Sequence, residues 1–496
     1  MSERTLKDIM NQRRQKILDL REEGIEPYPH VYERTHQVAE ALSAFKQLVD
    51  QPGTRLAGRL MAKRVMGKAS FAHIMDGSGR IQLYLSRDDL GESYRIFKKL
   101  DIGDFIGVSG ELMVTRTGEQ TLKVAEMTLL AKNIRPLPNV KEKDGQTFDG
   151  FEDVEQRYRK RYLDLIVNPE VKDTFVKRAK IYSLIRKFFD EEDFLEVQTP
   201  VLQPLYGGAS ARPFVTHHNT LDMKLYLRIA DELYLKRLII GGYERVYEFS
   251  LNFRNEGMDR THNPEFTIVE WYQAYVDYHY LMDQVERLYR FIAEGMGKMT
   301  YEYNGQQVDL SRPFQRATMS ELVQEHLGID LNTADVEVLA AACKERHLEL
   351  PANPNYGQLL DLLFDEAVQP ALTGPIFVTE YPKAISPLAK PLRGGDGTFV
   401  ERFELFIAGN EFANAFTELN DPIDQRERLE KQAALRDAGD DEAQTFDEDF
   451  IQAMEYGMPP TGGVGMGLDR AIMLFTENRS IRDVQLFPAM RPERKE

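Results

Sequence analysis

The sequence predicts an α+β chain in two parts, a small all-β barrel or sandwich near the N-terminus and a larger unit of mixed strands and helices. Three observations predict it. Apolar residues follow helical spacing at the start, switch to period two over about residues 54–135, and mix the two periods after about 150. A polar stretch at 141–150, just past Arg135-Pro136-Leu137-Pro138, separates the two patterns. The 496 residues, 42% hydrophobic and 10% aromatic, suffice for about three folding units or two larger ones, each with a core.

In order, Leu6, Met10, Ile17 and Leu20 lie near helical spacing across an N-terminal segment of about fifty residues, with a break at Gly24 and the turn-rich Glu26-Pro27-Tyr28-Pro29. Then Ile81, Leu83 and Leu85 alternate with Arg80, Gln82 and Tyr84 behind the Asp76-Gly77-Ser78-Gly79 turn, and strand-like runs follow at 106–114 and 121–130. Several short strands within about 80 residues suit a small barrel or sandwich. Beyond the polar stretch, Val171, Phe175, Tyr182, Ile185 and Phe189 mark one helix face, followed by a run ending at Pro200. The remainder alternates strand and helix patterns, with 300–370 expected to be a helical insertion between two strand-rich halves.

A single cysteine, Cys343, excludes an internal disulfide and a thiolate zinc cluster and points to a reducing compartment. The first 24 residues alternate charge without a signal-peptide apolar run, and no stretch suits a membrane span, so the expected location is cytoplasmic. Eighty acidic against 63 basic residues give a net charge of −17, which alone argues against a nucleic-acid partner. A phosphate backbone, however, meets only a local patch. Arg55, Arg59, Lys63, Arg64 and Lys68 occur without an intervening acid, and Arg157, Arg159, Lys160 and Arg161 form a second basic stretch, whereas acid concentrates at 437–449.

Four constellations bear chemistry. In the β-rich segment, alternation sends Ala72, Ile74, Ile81, Leu83 and Leu85 inward and leaves Phe71, His73, Gln82 and Tyr84 outside. An aromatic ring to stack, an amide to read base edges and nearby cations for phosphates suit unpaired bases. The same residues equally fit a solvated barrel face. In the second, Glu248, Ser250, Asn252 and Arg254 share one face of a strand, and Phe266, Ile268, Glu270 and Tyr272 share one face of the next. The loop between carries Glu256, His262 and Asn263. Such a hairpin can offer a guanidinium to a phosphate and a ring to a purine. Arg254 and Glu256 alone would fit a structural ion pair, but Glu270 among aromatics needs a partner.

In the third, Glu404 and Glu411 flank a turn containing Gly409 and could hold Mg²⁺ with substrate phosphates as further ligands. Strict alternation puts Glu411 on the face opposite Asn414, Phe416 and Glu418, so a shared site requires a bulge; the alternative is two exposed acids at a strand edge. In the fourth, Gly463, Gly465 and Gly467 leave one strand face bare ahead of Arg470, in neither P-loop nor dinucleotide-fingerprint spacing.

Taken together, these segments resemble the three signature motifs of class II aminoacyl-tRNA synthetases. The helix at 171–190 with the strand ending at Pro200 resembles motif 1, the hairpin with Phe253, Arg254, Asn255 and Glu256 resembles motif 2, and 463–470 resembles motif 3. With the small barrel ahead of them, the pattern is similar to the subclass containing the lysyl, aspartyl and asparaginyl enzymes. That resemblance implies N-terminal helices and a five-stranded OB-fold anticodon-binding barrel over 1–145. It implies a catalytic domain over 146–496, a mixed, mainly antiparallel sheet flanked by helices, dimerising through motif 1.

Within the subclass, Tyr206-Gly207-Gly208-Ala209-Ser210-Ala211-Arg212-Pro213-Phe214, the segment 226–237 and the segment 411–421 are most similar to the lysine-specific members. Physical reasoning agrees, since lysine brings two ammonium groups and Glu232, Glu270 and Glu418 make an acidic wall, although Glu232 also suits the first turn of any helix. The resemblance implies L-lysine, ATP, Mg²⁺ and tRNA(Lys) as substrates, cofactor and partner. By the same resemblance Gly208 and Glu232 take the α-ammonium, Glu418 and Tyr272 the ε-ammonium, and Phe416 the aliphatic stem. Arg254 and Asn414 orient the carboxylate, with Arg254 also on the α-phosphate. Glu256, His262, Asn263, Phe266 and Arg470 position ATP, Glu404 and Glu411 bind Mg²⁺, and Arg64, Phe71 and Gln82 read the anticodon. One departure is Thr261 directly before His262, where bacterial lysyl enzymes often carry arginine; here Arg260 stands one residue earlier.

Overall fold

The computed structural model describes residues 3–138, 140–143, 146–149, 151–350, 354–437 and 444–493. It divides into two compact units, Met1–Glu152 and Asp153–Glu496. Of the polar stretch 141–150, residues 144, 145 and 150 lie outside the described residues, as do 438–443 of the acidic run.

In the first unit the helical reading holds for Glu3–Glu22 and, after an irregular connection, for two short helices, Val38–Ser43 and Phe45–Leu48. Five strands follow: β1 (Thr54–Met66), β2 (Ala69–Met75), β3 (Arg80–Ser86), β4 (Phe105–Val114) and β5 (Gln120–Ala131). They close into a barrel in the order β1-β2-β3-β5-β4, so the sheet has no free edge. The Asp76 carboxylate accepts from the backbone N–H groups of Ser78 and Gly79 and from that of Val38, fixing the β2–β3 turn. Period-two burial then follows: Ala72, Ile74, Ile81, Leu83 and Leu85 fill the barrel, while Phe71, His73, Gln82 and Tyr84 lie half-buried on its outside.

The second unit is built on an eight-stranded sheet. Its strands are β6 (Leu195–Glu196), β7 (Arg245–Phe253), β8 (Glu265–Ala274), β9 (Gln315–Thr318), β10 (Ile376–Thr379), β11 (Arg402–Ile407), β12 (Asn410–Thr417) and β13 (Thr461–Gly467). The order is β9-β10-β11-β12-β13-β8-β7-β6, antiparallel at every junction except the parallel pairs β9–β10 and β7–β6. Tyr247, Val269, Trp271, Phe403, Leu405, Ala415 and Val464 point to one face, where they pack with the helices Pro169–Glu191, Tyr278–Met296 and Leu468–Thr476 into the main core. The residues alternating with them face the other way and carry the site.

The expected helical insertion at 300–370 is helical only in its second part. Residues Thr300–Tyr303 and Gln306–Asp309 form a hairpin and β9 joins the main sheet; helices Met319–Leu327, Val336–Glu345 and Tyr356–Leu363 come after. The alternating Tyr301, Tyr303 and Val308 are buried in the main core, which explains the strand.

Candidate active site

Strand register brings the separate constellations into line. Glu248, Glu270, Gly465, Asn414 and Glu404 are successive cross-strand partners over β7, β8, β13, β12 and β11. The adjacent row reads Val246, Tyr272, Gly463, Phe416 and Arg402. The central strand is thus bare where its neighbours carry functional side chains. A Cβ on Gly463 would stand 2.2 Å from Glu418 Oε1 and 2.3 Å from the Tyr272 ring, so only glycine leaves room there.

The bulge required to bring Glu411 to this face is present. Leu405 pairs with Ala413 but Phe406 pairs with Glu411, which makes Phe412 the extra residue. Phe412 and Ala413 both enter the helix-side core, and Glu411 comes to the site side, where its carboxylate lies 3.6 Å from Arg470 Nη1.

One end of the face is acidic and dry. Asp231 and Glu232 stand at the start of the helix Glu232–Ile240, and with Glu270 and Glu418 they are all buried. Burial pushes the Asp231 carboxyl up to about 6 and Glu418 to about 8, and holds Glu270 well above the usual carboxylate range, with the neighbouring Asp231 and Glu232 charges adding to the last. Tyr272 donates to Glu270 at 3.2 Å and Ser250 to Asp231 at 2.9 Å. The Lys236 ammonium, wholly buried, lies 2.5 Å from Glu232 Oε1 and also bridges to Glu418 Oε2. Glu418 Oε1 and Asp231 Oδ2 are buried without a hydrogen-bond donor. Arg228 acts on Asp231 and Arg402 on Glu232 from the rim of this end, but buried acceptors without donors are costly and rare, so Glu418 Oε1 and Asp231 Oδ2 call for a further donor. Gly208, at φ +83°, closes this end; a Cβ there would stand 3.0 Å from Glu232 Cβ.

The other end is cationic and open. Arg254 follows β7, its guanidinium 5.1 Å from the Phe266 ring centroid and its Nε buried without an acceptor. Arg470, in the first turn of Leu468–Thr476, donates to the Glu411 carbonyl at 2.7 Å and stands 3.0 Å from His262 Nε2. His262 Nδ1 in turn lies 2.8 Å from Asp259 Oδ2, which leaves Nε2 to accept from Arg470. Glu256 and His262 are exposed, whereas Asn263 is buried with its Oδ1 unpartnered. Asp469 beside Arg470 accepts from Arg178 of the helix Pro169–Glu191 and from the Thr267 N–H, tying the helix layer to the site strands. Glu404 is held by Arg402 at 2.5 Å and Tyr381 at 2.8 Å, and burial, with the Glu411 charge adding, pushes it up to about 7.

On the barrel, Arg64 pairs across β1–β2 with Phe71, and Phe71 across β2–β3 with Tyr84, the two rings 5.4 Å apart. Thr121 donates to Gln82 at 2.8 Å, and Gln82 donates to Glu119 at 2.5 Å, so the amide is held in one orientation. Of the expected phosphate-holding cations, Arg64 and Lys68 are exposed. Lys63 instead donates to the carbonyls of Phe97, Lys98 and Leu100 at the end of a helix, and Arg59 to that of Gly103. The second basic stretch is also tied internally: Arg161 is buried against Asp164 and the carbonyls of Arg482 and Leu486, Arg157 meets Asp164 and Arg159 meets Glu155.

Sequence reasoning missed Asp231, Lys236, Arg402 and Tyr381. Lys236 was visible as the i+4 partner of Glu232, a pairing common on any helix surface, but its contact with Glu418 depends on the tertiary fold.

Residues 153–491 match the family of class II tRNA synthetases (D, K and N), and residues 54–137 match OB-fold nucleic acid binding domains. The chain belongs to the class II tRNA synthetases of this group. Among its relatives, the lysine–tRNA ligase of Carboxydothermus hydrogenoformans is 51% identical over 99% of this chain and 100% of that protein. The lysine–tRNA ligase of Roseiflexus castenholzii is 52% identical over 98% of this chain and 99% of its own length, and that of Pelotomaculum thermopropionicum 50% over 99% and 96%. Among the described residues, no helix is long and apolar enough to cross a membrane.

Proposed function

We propose that this chain is an ATP-dependent lysine–tRNA ligase, which activates L-lysine as lysyl-adenylate and transfers it to the 3′-terminal adenosine of tRNA(Lys). One observation carries the choice of amino acid: a buried cluster of Asp231, Glu232, Glu270 and Glu418, with Lys236 set between two of them and acceptor oxygens on Glu418 and Asp231 left over. An aspartate or asparagine side chain would bring no cation to it. The kinship with proteins named lysine–tRNA ligase over nearly the whole chain supports the same reading.

In this reading Glu232 and Gly208 take the α-ammonium, Glu418 and Tyr272 the ε-ammonium, Glu270 supports Tyr272, and Phe416 lines the stem. Asn414 and Arg254 orient the carboxylate. Lysine's carboxylate is ionised at neutral pH and needs no base. One of its oxygens bonds to the α-phosphorus as the bond to pyrophosphate breaks, and Arg254 meets the charge on the α-phosphate. Arg470 turns from the Glu411 carbonyl to the γ-phosphate, and the adenine lies between Phe266 and Arg470, with Glu256, His262 and Asn263 on the nucleotide. The terminal 3′-hydroxyl then attacks the acyl carbon and AMP leaves. Positioning and charge complementarity supply the rate.

Glu404 and Glu411, two hard oxygen donors brought to one face by the Phe412 bulge, would hold Mg²⁺, with phosphate oxygens as its further ligands. Bound there, the ion would neutralise charge on the leaving pyrophosphate. Arg64, Phe71 and Gln82 read the anticodon, the ring stacking a base and the fixed amide meeting its edge. We assign residues 1–145 to this anticodon-binding part and 146–496 to catalysis, in a cytoplasmic homodimer. The exposed Leu195, Val201, Leu202, Leu205 and Val215, on and beyond edge strand β6, support a second copy packing there. Charging of tRNA(Lys) with labelled lysine tests the whole reading; a folded protein that charges tRNA with another amino acid, or with none, refutes it.

A further inference from the structure

At the acidic end one buried ammonium is shared by two of the acids, and its placement divides the pocket. Lys236 projects from the helix Glu232–Ile240, is wholly buried, and touches Glu232 Oε1 and Glu418 Oε2. It takes one oxygen from each acid. The remaining oxygens face inward: Glu418 Oε1 lies toward Gly463 and Tyr272 and has no donor, and Glu232 Oε2 lies beside Gly208. Phe416, whose ring centroid is 5.8 Å from the ammonium, packs against it.

We propose that Lys236 is a positioning residue that sets amino-acid specificity, clamping Glu232 and Glu418 so that each offers its other oxygen into the pocket, at a fixed separation, to a substrate carrying two ammonium groups. This rests on the lysine-ligase reading above. Three physical effects combine. The Lys236 charge offsets part of the cost of charging two neighbouring carboxylates, which burial and like charge oppose. It confines each carboxylate to one rotamer, so a ligand ammonium does not have to order it. It also fixes the depth of Glu418 Oε1, so a side chain one methylene shorter stops short of it. The buried ammonium comes from the protein and cannot leave with product.

The test compares wild type and Lys236→Met in pyrophosphate–ATP exchange, with L-lysine and L-ornithine as amino acids. The expected result is a lysine KM raised at least tenfold, with kcat changed less than threefold and the ATP KM within twofold. The preference for lysine over ornithine in kcat/KM falls at least fivefold, because the freed Glu418 follows the shorter chain. A merely structural lysine would change stability or all constants together, without altering the lysine-to-ornithine ratio. If Lys236→Met does not fold, Lys236→Gln, which keeps a donor without the charge, is measured in the same way. An unchanged lysine KM and an unchanged ratio in the variant that folds overturn the proposal. Wild type without lysine-dependent exchange would instead overturn the underlying reading, so the two failures are told apart by the wild-type measurement alone.

Discussion

The two ends of the site share one sheet face yet are built on opposite electrostatic plans. At the acidic end, Glu270 and Glu418 are buried, Glu418 with an acceptor to spare, and their carboxyls are pushed upward by burial. At the cationic end, Arg470 is partly exposed and occupied by the Glu411 carbonyl and His262, groups that an incoming phosphate would displace in the proposed reading. The first end is preorganised and dry, so it can select a small dication by charge and length. The second is open and holds its cations on replaceable partners, as suits a large anion that arrives and departs as different pieces. Bare strand β13 lets the two ends meet, since Gly463 and Gly465 put no side chain between them.

Changes that break this division should differ in size and in which substrate they affect. The largest effect is expected for Arg254→Ala, which removes the guanidinium stacked on Phe266. Loss of a group aimed at developing phosphate charge costs about 10³-fold or more in exchange rate. The oligomeric state, checked by light scattering, should not change. Glu418→Gln should lower kcat/KM for lysine by about 10²-fold, the scale of breaking a buried ion pair, while the ATP KM stays within about twofold. Equal losses for both substrates would erase the distinction between the ends.

Phe71→Ala lies outside both ends and sharpens the comparison. A lost base stack is worth about 1–3 kcal/mol, so the tRNA KM in charging should rise roughly 10–100-fold, with lysine-dependent exchange untouched. The smallest effect is that of pH. Asp231 and Glu418 are pushed up to about 6 and about 8 by burial, so they hold protons below those values and are charged above them. Ammonium groups prefer the charged forms. The lysine KM should therefore fall, by roughly tenfold in all, as pH rises from 6 to 8. The thermal shift on adding lysine should grow over the same range.

Much of this arrangement was legible in the sequence. Period-two alternation located Glu270, Tyr272, Asn414 and Phe416 on site-facing positions, and it flagged the conflict at Glu411 that the Phe412 bulge resolves. It could not supply the bulge, because the cause is tertiary: Phe412 and Ala413 both find room in the helix-side core. Composition also misread free charge. Lys63 and Arg161 look like phosphate ligands in a list of cations, but in the fold they satisfy backbone carbonyls. Lys236 shows the converse. A helix-surface pair in sequence becomes a buried ammonium shared by two acids once Glu418 is brought to it.

Amino-acid-dependent pyrophosphate–ATP exchange without tRNA, run in parallel with lysine, aspartate and asparagine, tests the central claim most directly. Exchange with lysine alone is the predicted result, since of the three only lysine adds a side-chain ammonium for the buried acids. Exchange driven by aspartate or asparagine, or none from folded protein with any of the three, would contradict the assignment of the acidic end as a lysine pocket.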